Sequence, residues 1–234
     1  MRASGRYSDW HRPSVKGNLL KRISCPNYLY SIEMKIMSLK ESVEGYYSRL
    51  SDLLKKNQAT RKDGSSLDFF TAIESVSQLA LAQASINRKI IFIGNGASAS
   101  ISSHMATDFW KNGGMRAVAF NDAVLLTCIS NDCGYENVFG KPMEMFADEG
   151  DVLVAISSSG ASENILNGVR AARKLGAHVV TFSGFKPDNP LRSMGDINFF
   201  VPDGNYGPIE VNHFSITHCI LDCAVALKEQ MMTK

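Results

Sequence analysis

Cysteine is scarce in this chain and poorly placed for structural work. The 234 residues contain five, Cys25, Cys128, Cys133, Cys219 and Cys223. No CxxC pair is available for a structural zinc, and the odd count does not suggest a disulfide framework. Cys219 and Cys223 stand i, i+4 in an apolar helical pattern, which reads as core packing; a reducing cytoplasm fits the set. An excess of either charge is also missing. With 25 basic and 23 acidic side chains the formal charge is +2, which gives a nucleic-acid footprint no support and membrane attraction little. No apolar run approaches the length of a membrane span. Internal repeats and low-complexity tracts are lacking. What is left, 44% hydrophobic and 21% charged, is ordinary for a globular protein able to bury a sizeable core.

The first 33 residues differ from the rest. They carry Arg2, Arg6, His11, Arg12, Lys16, Lys21 and Arg22 against Asp9 and Glu33. They have no apolar core for a secretory signal, and Pro13 and Pro26 interrupt an amphipathic targeting helix. The expectation is a disordered extension over residues 1–33, with a start at Met34 or Met37, and one domain over 34–234.

Beyond it, hydrophobic periodicity predicts helices over 38–56 and 67–86, separated by a polar loop at 57–66. Strands follow at 89–93, 116–120, 152–156, 178–183 and 197–201. Between them helices are predicted over 98–111, 123–130, 135–148 and 162–175, and a last one over 209–231. Strands alternating with helices imply an α/β three-layer αβα sandwich around a parallel sheet. Such sheets bind ligands beyond the carboxyl ends of their strands.

Two turns lie at such ends. Lys89-Ile90-Ile91-Phe92-Ile93 runs into Gly94-Asn95-Gly96-Ala97-Ser98, and Val152-Leu153-Val154-Ala155-Ile156 into Ser157-Ser158-Ser159-Gly160-Ala161-Ser162. Backbone N–H groups and hydroxyls at a helix N-terminus suit a phosphate. Ser162 alone would serve as an N-cap, but three consecutive hydroxyls exceed what capping requires. The first turn lacks the third glycine of a dinucleotide fingerprint, no acid closes the next strand, and no Walker lysine is present. No nucleotide cofactor is expected.

His104 and Asp108 share a helix face at i, i+4, and Glu210, His213 and His218 lie at or near the start of the last helix. Such a set suits acid–base catalysis or a divalent metal, and an ordinary solvated helix face carries the same residue types.

The turn Gly94-Asn95-Gly96-Ala97-Ser98 with His104 resembles the first motif of sugar isomerase (SIS) domains, closest to the phosphoheptose isomerase branch. Ile156-Ser157-Ser158-Ser159-Gly160-Ala161-Ser162 resembles that branch's second motif. Ser130-Asn131-Asp132-Cys133-Gly134-Tyr135 looks like its G-N-D-x-G-[FY] segment, and residues 210–218 match the spacing of its Q-E-x-H-x-x-x-x-H helix. The likeness covers about residues 38–230. It implies a SIS, flavodoxin-like fold and an aldose–ketose isomerase of surface-heptose synthesis, converting sedoheptulose 7-phosphate to D-glycero-D-manno-heptose 7-phosphate. It also implies a cytoplasmic homotetramer with sites between subunits and, in some members, Zn2+. Carried over by position, Ser98, Ser157, Ser159 and Ser162 hold the phosphate, while Asn95 and Asp132 contact the sugar. Ser158 and Glu210 join this substrate-binding set. Asp108 and His218 fall on the acid–base pair, and His104, Asp108, Glu210 and His218 on the metal site. Three residues depart from the pattern. Asp108 stands for glutamate, drawing the carboxylate back by about an ångström. Glu210 stands for glutamine and Asn112 for arginine.

Two other classes stay open on the residues. One is a non-catalytic SIS module, since a close relative of these isomerases associates with a replication initiator; it lacks the histidine found here at 218. The other is a phosphosugar sensor, which normally carries an attached DNA-binding domain.

Overall fold

A computed structural model describes residues 38–233, so the expected extension over 1–33, the starts at Met34 or Met37, and Cys25 lie outside the described residues. From Val43 onward the chain forms one compact unit. Its spine is a run of five parallel strands: β3 (Ile90–Gly94), β4 (Ala117–Ala119), β5 (Val152–Ile156), β6 (His178–Gly184) and β7 (Ile197–Val201). Strands β3 and β5 are buried at every position, so their sequences are continuous apolar runs with no alternation. A hairpin of β1 (Gln58–Arg61) and β2 (Ser66–Leu67) adds two antiparallel strands, giving the order β2-β1-β7-β6-β5-β3-β4.

That hairpin replaces the loop expected over 57–66. Its turn residues were legible, since Asp63 accepts from the Ser65 N–H at 2.9 Å and Gly64 sits at φ 82°. Its strands were not, because they are short and polar and form only by pairing Gln58–Arg61 with the free edge of β7.

The α1 helix (Leu39–Leu54) precedes this hairpin, and α2 (Phe69–Ser85) follows it, capped by Asp68. Helix α3 (Ala97–Lys111) joins β3 to β4, and α4 (Ala123–Cys133) and α5 (Gly140–Phe146) lead from β4 to β5. The single helix expected over 135–148 is broken. A short 3-10 turn, Tyr135–Asn137, follows Gly134 at φ 86°, and α5 begins only at Gly140. Helix α6 (Glu163–Lys174) joins β5 to β6, and α7 (Tyr206–Met232) ends the fold. It starts three residues earlier than expected because Pro208 lies in its first turn, where the missing N–H costs nothing.

The sheet is covered on both faces. Phe92, Val154, Phe182 and Phe199 pack with Ile73, Met105, Phe109 and Ile220 from α2, α3 and α7. Ile91, Ile93, Leu153 and Val179 pack on the other face with Met143, Ile165 and Val169 from α5 and α6. The predicted three-layer α/β sandwich is therefore present, with a mixed rather than wholly parallel sheet. Cys219 and Cys223 depart from expectation, since both are exposed on α7 instead of lying in the core.

From β3 the chain steps out to β4, then returns to place β5 on the other side of β3. The direction of winding reverses there, which opens a crevice at the carboxyl ends of β3 and β5. Both serine-bearing turns emerge at that point.

Candidate active site

The first turn depends on a glycine. A Cβ on Gly94 would lie 2.5 Å from the Ser98 carbonyl carbon and oxygen, so only glycine lets the strand run this close to α3. In the second turn Gly160 sits at φ 61°, and a Cβ there would overlap the Asn189 side chain. Between these constraints the serines hold one another. Ser157 Oγ accepts from the Gly160 N–H at 3.2 Å and lies 3.4 Å from Ser159 Oγ, which accepts from the Ala161 N–H at 3.3 Å. Ser162 occupies the N-cap position of α6, yet its side chain makes no capping bond.

A cavity of about 150 Å³ joins the two turns to the start of α7. Asn95, Ser98, Ser157, Ser158, Ser159, Ser162, Tyr206 and Glu210 line it together with Ile156. Among the described residues no cationic side chain lines this space. What it offers is hydroxyls and the amino ends of α3 and α6, where N–H groups carry partial positive charge. Six of the predicted binding residues thus meet in one place, along with Glu210. Asp132 does not join them. It lies exposed at the end of α4, bonded to Asn131 and near Cys128, whose thiol pKa its charge raises.

The acidic and imidazole side chains form a second group. Helices α3 and α7 pack together, so the i, i+4 pair on one meets a matching pair on the other. His104 Nε2 lies 3.1 Å from Asp108 Oδ2. Ligand atoms of His104, Asp108 and His218 all fall within 4.8 Å of one another. Phe214 packs beside both imidazoles, its ring centroid 5.0 Å from that of His104 and 4.5 Å from that of His218, while the imidazole centroids are 5.4 Å apart. Glu210, two turns earlier on α7, is outside this group and lines the serine cavity instead.

His213 plays no part in either group. It is fully buried, its Nε2 is 3.1 Å from the Ser183 carbonyl, and desolvation lowers its pKa to about 4. It is therefore a neutral core residue.

Sequence reasoning assigned no role to Asn164, Tyr135, Tyr206 or Phe214. Asn164 and Tyr135 both bond the Asn95 side chain. Tyr135 closes one of the quoted motifs and Asn164 stands two residues after the second turn. Their meeting at Asn95 depends on packing across the crevice.

A family model for the SIS domain matches residues 45–184. The chain belongs to the SIS domain family. Its relatives place it in the phosphoheptose isomerase branch, among enzymes. It is 32% identical over 154 residues to a phosphoheptose isomerase of Aliarcobacter butzleri, a match covering 63% of this chain and 81% of that one. The structure of phosphoheptose isomerase GmhA from Neisseria gonorrhoeae aligns with a TM-score of 0.70 at 29% identity, over 80% of this chain and 99% of that one. A phosphoheptose isomerase from Francisella tularensis aligns equally well, with a TM-score of 0.70 at 26% identity over 80% and 98% of the two chains.

Proposed function

We propose that this SIS protein isomerises sedoheptulose 7-phosphate to D-glycero-D-manno-heptose 7-phosphate through an enediol. One observation carries the reading: a hydroxyl-lined cavity at two helix amino ends stands on the same elements, α3 and α7, as the His104–Asp108–His218 group. Ser98, Ser157, Ser159 and Ser162 hold the phosphate, with Ser158 and Glu210 completing the wall. Anchoring that end orients the distant reacting carbons, so binding energy away from the reaction lowers its barrier. Asn95 contacts the sugar, and Asp132 is the further sugar contact implied by the family motif.

The reaction moves one proton between neighbouring carbons and another between their oxygens. Asp108 and His218 carry these transfers: one removes the proton beside the carbonyl and returns it to the former carbonyl carbon, while the other serves the oxygens. Positioned groups of this kind contribute roughly 10²–10⁴-fold. Asp108 is held by His104 and His218 is backed by Phe214, so neither needs to be found by a freely moving partner.

Two imidazoles and a carboxylate with donor atoms this close also suit zinc, with His104, Asp108 and His218 as its holders. When bound there, the ion would act as a Lewis acid on the carbonyl. Glu210 was the fourth expected ligand; its place on the cavity wall supports a role toward substrate.

We further infer a cytoplasmic homotetramer with residues 34–234 as one SIS domain. The apolar stripe of α1 supports the assembly, because Leu39, Val43, Tyr46 and Tyr47 are exposed in the single chain. Incubation with sedoheptulose 7-phosphate, with and without zinc, tests the reaction directly. Formation of aldose heptose phosphate is expected, and its loss in Asp108→Asn would place the chemistry; tight binding without product would reject it in favour of a binding module.

A further inference from the structure

Asn95 lines the cavity, and its side chain is held there by neighbours from two other elements. Asn164, the second residue of α6, is 3% exposed and faces it across the crevice. The two amides form a closed pair: Asn164 Nδ2 donates to Asn95 Oδ1 at 2.8 Å, and Asn95 Nδ2 donates to Asn164 Oδ1 at 2.9 Å. The Tyr135 hydroxyl donates to the same Asn95 oxygen at 3.0 Å. We propose that Asn164 is a positioning residue that, with Tyr135, presents Asn95 to the substrate as a hydrogen-bond donor. This rests on the phosphosugar reading of the cavity.

Satisfied valences decide what Asn95 can offer a ligand. A primary amide has two acceptor positions on oxygen and two N–H donors. Both acceptor positions of Asn95 are taken, by Asn164 and Tyr135, and one N–H is committed to Asn164. A single N–H is left for the ligand, so Asn95 meets an oxygen acceptor: a sugar hydroxyl or carbonyl, or a phosphate oxygen. The Ile165 N–H fixes Asn164 Oδ1, and with Asn164 so turned the reverse orientation of Asn95 would set N–H against N–H and oxygen against oxygen. A half-exposed amide left free would have to be ordered on binding, and pre-ordering removes that cost.

The same residue bears on the second turn. Asn164 Oδ1 also accepts the Ile165 N–H at 3.0 Å, in the first turn of α6. The same N–H also reaches the Ser162 carbonyl at 3.0 Å, so this donor is met without the Ser162 hydroxyl, which makes no capping bond and remains available to the ligand. Asn164 thus bonds the first turn while standing in the first turn of the helix that follows the second.

A double-mutant cycle on sedoheptulose 7-phosphate turnover tests the proposal. Asn164→Ala should lower kcat/KM about tenfold in the wild-type background and less than about twofold in Asn95→Ala, where nothing remains to be positioned. Equal losses in both backgrounds, or no loss in the first, would overturn it. Asn164→Asp keeps the acceptor for Asn95 and Ile165 but loses the donor, so a loss of about threefold is expected; it also serves if the alanine variant does not fold. A second readout needs no substrate. Hydrogen exchange of the Asn95 side-chain amide, followed by NMR, should quicken about tenfold in Asn164→Ala. Unchanged exchange rejects the tie to Asn95 whatever the activity, whereas quickened exchange in a protein that does not turn over this sugar rejects the isomerase reading alone.

Discussion

The three histidines near α7 sit in different surroundings, and their surroundings set their roles. His104 is half-exposed against Asp108, and His218 is partly buried against Phe214. Changing Asp108→Asn or His218→Gln should lower turnover at least about 100-fold while moving inorganic phosphate affinity less than about twofold. Steady-state kinetics beside calorimetry of phosphate binding checks both halves, and retained activity in both variants would sink the acid–base assignment. Ser159→Ala should show the converse, weakening phosphosugar binding by about fivefold to tenfold through one lost hydrogen bond. His213 carries a stability consequence instead. Its folded pKa of about 4 lies below the ordinary 6.5, so between these values the unfolded chain binds a proton that the folded one does not. Its contribution is fully present above about pH 6.5 and is lost as pH falls to about 4, amounting to about 3 kcal/mol. Urea unfolding at pH 7 and pH 4 should therefore differ less in His213→Leu than in the wild type, by about that amount.

At the level of elements, the site depends on how closely strands approach the helices that follow them. Gly94→Ala would force a methyl into the Ser98 backbone and push α3, which carries His104 and Asp108, away from β3. A loss of about 2–4 kcal/mol of stability is expected, with activity lost even at temperatures where the variant stays folded. Thermal unfolding and kinetics on the same sample separate these two effects. The elements also show where pattern reading works. Strands β3 and β5 were legible because burial on both faces leaves unbroken apolar runs, and α6 because its apolar stripe is sharply one-sided. The hairpin before α2 was missed because four polar-leaning residues show no period until β7 offers them an edge. The helix expected over 135–148 carried an apolar period, but Gly134, Gly140 and Pro142 divide it, and Val138 and Phe139 between them are drawn into the core.

For the whole molecule, winding out to β4 and back to β5 brings turns more than sixty residues apart to one crevice. Among the described residues no helix is long and apolar enough to cross a membrane. The exposed side chains of α1 bear on the proposed assembly. Tyr47→Glu would place a charge among them and should shift a tetramer toward smaller species, as measured by light scattering on the full chain. An unchanged mass would remove α1 from the interface.

The sequence by itself determined the strand ends, the serine turn, and the shared face of His104 and Asp108, because each follows from local spacing. It could also rank Ser162 only as a cap or a ligand, since both uses ask for the same hydroxyl. Tertiary structure decided the rest. Packing of α3 on α7 brought His218 to His104 and Asp108, while Glu210 joined the serines and Asp132 stayed apart at the end of α4. Packing also buried His213, five residues from His218 and identical in type. The Asn95–Asn164 pair was invisible for the same reason: a hydrogen bond between residues 69 apart is set by where the sheet puts its turns, and spacing along the chain holds no record of that.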